Sequence, residues 1–403
     1  VTVAPVIDSR PAAAIGSAET AIAAARELAE RFADGAADRD RERRLPHAEV
    51  EYLSDAGLFA LTVPARFGGP DLPPSVVAEV FRILATADGS LAQIPHSHYV
   101  YLTALRLAGP EELQRRIFGQ ILDGARIANA QSERGGRTVV DVATVLTRTA
   151  DGARLDGEKF YCTGSPYAHL LAVLARDAAT DEQVVAFVPA DTPGITIADD
   201  WNALGQRTTG SGTVRFDGVA VPPDSVLPRS SAVSGPTGYG AFAQLLHVAI
   251  DTGIARGALE AAAEFVRTKS RPWFEAGVER AQDDPLTVQR FGELTVTVRA
   301  AESALDVAGR AVDEVFAAPG PDAAAEASLA VATAKVLADR AATEVPSALF
   351  EVSGTRSAAG DAGLDRYWRD ARTHTLHDPV RYKLHHLGRF TLNEERPPLH
   401  GVV

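Results

Sequence analysis

The chain has 403 residues, 46% hydrophobic and 23% charged, with 40 Lys plus Arg against 53 Asp plus Glu. That length exceeds what one core usually serves, so two or three domains are expected, and a net charge of −13 would repel phosphate backbones and anionic lipid, which argues against nucleic acid or a membrane as partner. The lone Cys162 excludes an internal disulfide framework, and no signal-peptide pattern or run of about 20 apolar residues occurs, so a soluble cytoplasmic protein is expected.

Residues 1–15 read as a flexible tail and 16–125 as an α-helical domain. AETAIAAARELAERFADGAADRDRERR carries apolar positions at helical spacing and predicts one amphipathic helix; HAEVEYLSDAGLFAL, PPSVVAEVFRILATADGS and SLAQIPHSHYVYLTALRLAG repeat the pattern. Pro110 followed by Glu111 and Glu112 suits the first turn of another helix. From 126 to 232 short β-branched runs alternate with Asp-Gly and Pro-Gly turn signals, predicting an antiparallel β domain with hairpin connections. Helical period returns from 233 to 403 in three segments of about 30 residues and a final DPVRYKLHHLGRFTL, which predicts a four-helix bundle. The fold class is therefore α+β, mostly α. RPWFEAGVERAQDDP, 271–285, joins two long helices and has the length and aromatic content of a lid.

No GxGxxG follows a strand, and no GxxxxGK[ST], GxSxG or HExxH occurs, so the usual nucleotide, hydrolase and metalloprotease signals are missing. RDARTHTLHDPVRYKLHHLG, 369–388, holds His374, His377, His385 and His386. On a helix His374 and His377 share a face, and with Asp378 they could begin a metal site, line a solvated surface, or do acid–base work in a cavity. Imidazole suits the last, because its ordinary pKa of about 6.5 lets it donate or accept near neutrality. Pro379 predicts a bend at 378, leaving His385 and His386 on a helix surface. In PHSHYVY, 95–101, His96 pairs with Tyr99 and His98 with Tyr101 at three-residue spacing, so one pair can face an interior cavity. In EKFYCTGSPYAH, 158–169, Phe160 and Tyr161 beside Thr163, Gly164 and Ser165 offer flat walls and hydroxyls that suit a planar heteroaromatic ligand.

VPARFGG at 63–69, ANAQSERGG at 128–136, GEKFYCTG at 157–164, WNALGQRTTGSGTVRFDGVAVP from Trp201, and SGTRSAAGDAGLDRYWRDAR at 353–372 occur in the order found in the acyl-CoA dehydrogenase superfamily, which the chain resembles over nearly its whole length. The resemblance implies an N-terminal helical domain, a middle β domain and a C-terminal four-helix bundle that bind a flavin. Asp378 falls where many of the dehydrogenases carry a catalytic Glu, so one implied activity is acyl-CoA dehydrogenation with Asp378 as base. RDARTHTLHDPVRYK, RTKSRPWFEAGVERAQDDPLTV and FYCTGS look instead like the flavin-dependent monooxygenase branch that includes dibenzothiophene and dimethyl sulfone monooxygenases and is related to indole-oxygenating enzymes.

In that branch reduced FMN or FAD meets dioxygen to form a C4a-hydroperoxide, which passes one oxygen to a sulfur compound or an electron-rich heterocycle. Carried over by position, the resemblance puts His377 nearest the reactive edge, supported by His374, His96 and Ser165. Asn129, Ser132 and Thr163 would hydrogen-bond the isoalloxazine, Phe160 and Trp201 would wall it, and Arg271 would reach the flavin phosphate across a subunit interface. No metal ligand set is implied. The partners implied are a small-molecule substrate, a separate NAD(P)H:flavin reductase, and further copies of the chain in a homotetramer.

Overall fold

In the computed structural model, residues 13, 15–138, 141–150 and 152–400 are described. The expected tail thus lies almost wholly outside the described residues; Ala13 donates its N–H to Asp55 O (2.8 Å) and Ile15 packs on the helical core. The single N-terminal helix expected over 18–44 is two, α1 (Ala18–Ala33) and α2 (Ala36–Glu42), because Gly35 takes φ +73° and turns the chain. Then follow α3 (His47–Asp55), α4 (Pro74–Ala87), α5 (Gly89–Gln93), α6 (His96–Ala108) and α7 (Glu111–Leu122). SLAQIPHSHYVYLTALRLAG, expected as one helix, breaks before Pro95, which has no N–H to continue the ladder.

The strands are β1 (Ile127–Ala130), β2 (Val145–Thr149), β3 (Gly152–Lys159), β4 (Leu170–Asp177), β5 (Gln183–Pro189), β6 (Ile195–Ile197), β7 (Val214–Val221) and β8 (Val226–Pro228). They form one sheet in the order β6-β7-β3-β2-β4-β5-β8, with β1 also on β4. Most pairs are antiparallel as expected, but β1–β4 and β2–β4 are parallel, so the sheet is mixed. The cause lies in β4: LLAVLARD is apolar on both faces and buries both. Leu171, Val173 and Ala175 enter the sheet core, while Leu170, Ala172 and Leu174 pack against Tyr101, Leu102, Ile117 and Phe118 of α6 and α7.

After α8 (Arg229–Val233) the chain enters α9 (Tyr239–Thr268), α10 (Pro285–Ala317), α11 (Pro321–Ser353), α12 (Asp365–His374) and α13 (Val380–Asn393). α9 is the axis of the molecule: a Cβ on Gly253 would stand 2.3 Å from Arg82 O, and one on Gly257 2.2 Å from Thr86 O, so α4 lies directly on its backbone. One apolar core runs through α1, α4, α9, α10 and α11. Among the described residues no helix is long and apolar enough to cross a membrane.

Candidate active site between the bundle and the sheet

α9 is apolar on almost every face, yet AFAQLLHVAIDTG sets His247 and Asp251 one turn apart, at 1% and 0% exposure. Two polar groups so deep need partners. Asp251 Oδ2 accepts Lys335 Nζ from α11 at 2.6 Å, and Oδ1 lies 2.6 Å from Nδ1 of His374, the last residue of α12. His374 Nε2 in turn stands 3.0 Å from His247 Nδ1 and 3.1 Å from Gln93 Oε1. Against His247 lie two further rings, His96 at 4.0 Å and His377 at 3.9 Å between centroids.

Burial would raise the Asp251 carboxyl, but Lys335 and His374 outweigh it and bring it down to about 2. Burial also opposes the charge on Lys335, and Asp251 with Asp378 overcomes it, so its pKa is raised. The rings go the other way. Desolvation, then repulsion among the imidazoles, lowers His96 to about 3 and His247 well below the ordinary range. His377 is 44% exposed at the mouth of the cluster; desolvation brings it to about 4 although Asp378 pulls upward. These three rings are neutral at pH 7. His96 Nε2 lies 3.0 Å from Ala243 O, so Nε2 carries the proton and Nδ1 is free to accept. Among the described residues no three His, Cys, Asp or Glu side chains are disposed to hold a metal ion.

The sheet packs against the turn between α5 and α6. Gly164, at φ +82°, turns the chain after Thr163, and its position for a Cβ lies 3.4 Å from Ile94 O, beside Gln93 and His96. Ser165 follows, fully buried, its Oγ without a partner; Asn129 Oδ1 on β1 is likewise buried and unpaired. Thr163 Oγ1 and Ser211 Oγ are 2.7 Å apart, as are Ser211 Oγ and Thr209 Oγ1. Ser132 bridges to Phe160, whose N–H donates to Ser132 O at 2.8 Å, and the Arg134 guanidinium lies 3.9 Å above the Phe160 ring. Cys162 turns into the sheet core, where burial holds its thiol far above the ordinary range. Trp201 Nε1–H donates to Gln206 O at 2.8 Å, stiffening the 198–213 segment.

That segment clamps onto α12: Gly205 N–H donates to Thr373 Oγ1 (2.9 Å) and Gln206 N–H to Asp370 Oδ1 (2.5 Å). A Cβ on Gly205 would lie 2.0 Å from Arg369 O, so only glycine allows this approach. The contact seats the sheet wall against the helix that carries His374.

His96, His374 and His377 thus gather around His247, and Ser165 follows the Gly164 turn that abuts Ile94, while Asn129, Ser132, Phe160, Thr163 and Trp201 lie in the sheet region. α12 ends at His374, and His377 sits in the following turn, so the two histidines are not on one helix face as the spacing suggested. Arg271 does not join them. It is exposed in the segment after α9, roughly 30 Å of helix beyond His247, so the start of the 271–285 segment expected as a lid lies far from its own chain's histidine cluster. Asp378 is buried with Oδ2 3.2 Å from Lys383 Nζ and Oδ1 3.9 Å from His377 Nδ1. His98 is a core histidine between Phe59 O and Ile127 N–H, and His385 is exposed on α13. His247, Asp251, Lys335 and Gln93 escaped the sequence reading; a His and an Asp four residues apart in an otherwise buried apolar run were the signal for two of them.

The sheet wall fits a flavin ring: half-buried Phe160 and Trp201 are flat, and the unpaired Asn129 and Ser165 atoms lack the partner that a heteroaromatic edge provides. Comparison with known proteins agrees. Models of the acyl-CoA dehydrogenase N-terminal, middle and C-terminal domains match residues 17–125, 128–219 and 245–382. A dibenzothiophene monooxygenase of Rhodococcus qingshengii is 36% identical over 393 residues, covering 93% of this chain and 94% of the relative. The probable FMNH2-dependent monooxygenase SfnC of Pseudomonas putida is 34% identical, covering 94% and 96%. The crystal structure of TdsC from Paenibacillus sp. A11-2 with FMN and indole superposes with a TM-score of 0.90 at 34% identity, covering 95% of this chain and 99% of TdsC. The chain belongs to the acyl-CoA dehydrogenase family.

Proposed function

We propose that this protein is a two-component, reduced-flavin-dependent monooxygenase that oxygenates a sulfur compound or an electron-rich aromatic heterocycle such as indole. The carrying observation is the neutral pair His96 and His377 packed on His247, with an unpaired Ser165 hydroxyl following the Gly164 turn that abuts Ile94. When bound, reduced flavin supplies the two electrons with which dioxygen gives one atom to the substrate and the other to water. The chain's own groups then hold and move protons. His377, neutral and at the mouth, offers one ring N–H and one lone pair. His96 Nδ1 accepts, its Nε2 proton being held by Ala243 O. Ser165 Oγ both donates and accepts. Asn129, Ser132 and Thr163 would bind the ring edge, with Phe160 and Trp201 as its walls. Burial of this wall excludes water, which limits loss of oxygen as hydrogen peroxide.

The relatives named above support FMN as the flavin, and the missing nicotinamide fingerprint supports a separate NAD(P)H:flavin reductase as its source. Exposed Leu384, Phe390 and Leu392 on α13 and Leu286, Val296 and Val307 on α10 support association into a homotetramer, in which a neighbour's 271–285 segment would reach this chain's flavin. Purified protein given chemically reduced FMN, ¹⁸O₂ and indole or dibenzothiophene should yield product carrying one ¹⁸O atom; unlabelled product or none defeats the proposal. NADH without a reductase should give no turnover. The Lys383 contact engages the Asp378 carboxylate, so an acyl-CoA should leave bound oxidised flavin unreduced under anaerobic conditions.

A further inference from the structure

Lys335, Asp251, His374 and His247 form an unbroken buried chain, and only its far member touches the rings assigned above to the reaction. Asp251 Oδ1 accepts a hydrogen bond from His374 Nδ1–H at 2.6 Å. With its ring proton held there, His374 Nε2 is the acceptor for His247 Nδ1–H, 3.0 Å away. The same lone pair calls for the Gln93 amide, 3.1 Å away, to present its N–H rather than its oxygen, the two amide atoms being interchangeable in outline. Protons are thereby assigned two rings out from one carboxylate. Lys335 Nζ, 2.6 Å from the other oxygen, holds the same carboxylate in place.

We infer that Asp251 and Lys335 are positioning residues for the oxygenation: through His374 they fix His247 as the Nδ1–H tautomer. This rests on the reading of the cleft as an oxygenase site. The tautomer of His247 decides which of its ring nitrogens donates and which accepts between His96 and His377, whose rings lie 4.0 and 3.9 Å from it. The groups facing the chain are Gln93 from α5, His96 from α6, Asp339 beside Lys335 on α11, Arg372 on α12, and His377, Asp378 and Lys383 beyond it.

The test is ¹⁵N solid-state NMR of full-length, flavin-free protein labelled at histidine, with the two rings assigned from His374→Gln and His247→Gln samples. Wild type should show both rings protonated at Nδ1 and bare at Nε2. Asp251→Asn should mix the tautomers of both rings; Lys335→Met, which releases the second carboxylate oxygen, should mix those of His247, and Lys335→Arg should keep the wild-type spectrum. If the single variants fail to fold, the Asp251→Asn/Lys335→Met pair, which removes both charges, should fold and show mixed tautomers. Wild-type tautomers retained in whichever of these charge-removing variants folds overturn the inference. The spectra need no flavin, so the assignment stands or falls apart from the oxygenase reading; if both hold, Asp251→Asn should lower product yield per oxygen consumed severalfold.

Discussion

On the bundle side of the cleft Lys335, Asp251, His374 and His247 satisfy one another, whereas on the sheet side Asn129 Oδ1 and Ser165 Oγ are buried with no partner. Unpartnered atoms occur in the bundle as well, among them Gln244 Oε1, one turn before His247, Thr252 Oγ1, next to Asp251, and Asp378 Oδ1. Leaving a buried polar atom unpaired costs about 1–3 kcal/mol, so the two walls differ in when they reach their best state. The Lys335–Asp251–His374–His247 chain is satisfied within the protein alone, whereas Asn129 Oδ1 and Ser165 Oγ find no partner in it.

The sharpest way to break this contrast is at the mouth, where both walls serve one reaction. His377→Ala should cut product formation by on the order of 10²–10⁴-fold while oxygen is still consumed and appears as hydrogen peroxide, read by product chromatography beside a peroxide assay. Next in size is the bundle network itself. Asp251→Ala leaves Lys335 buried and unpaired and should cost about 3–5 kcal/mol in urea unfolding, whereas Asp251→Asn/Lys335→Met should recover most of that loss.

Acid should separate the walls a third way. The pKa of His96 is about 3 in the folded protein, and those of His247 and His377 are also depressed, against about 6.5 unfolded. Below pH 6.5 the unfolded chain therefore binds protons that the folded one refuses, and stability held above that pH drains away as pH falls. Asp251, folded at about 2 against about 3.9 unfolded, adds its loss only between about pH 4 and 2. Urea midpoints should thus begin to fall near pH 6.5, and His96→Gln should flatten the limb from 6.5 to 4. His377, partly open to water, contributes least. The smallest effect belongs to the sheet wall: Ser165→Ala removes a hydroxyl with no partner, so stability should stay within about 0.5 kcal/mol, while flavin retention or product yield falls severalfold. A large loss of stability there would erase the distinction between the walls.

The helical, β and helical order was legible because periodicity and turn chemistry are local. The breaks at Gly35 and Pro95 were written in the sequence too, but the apolar pattern runs through both and hides them. His374, His377 and His96 drew notice as members of clusters. What stayed hidden was what joins them: Lys335 is one lysine in AVATAKVLADR, and Gln93 one amide in a short helix, and neither means anything until α5, α9, α11 and α12 are packed. Arg271 is a different case, since the length of α9 carries its loop away from the histidine cluster of its own chain and leaves it to a neighbouring copy.

Cys162, turned into the sheet core with its thiol held protonated, bears on how long such a protein survives its own by-products. Peroxide attacks thiolates and thioethers first. This chain has no methionine at all, and its one sulfur atom is both out of reach and in its unreactive form. Uncoupled turnover should therefore wear the protein out through its flavin and exposed aromatic rings before any sulfur is oxidised.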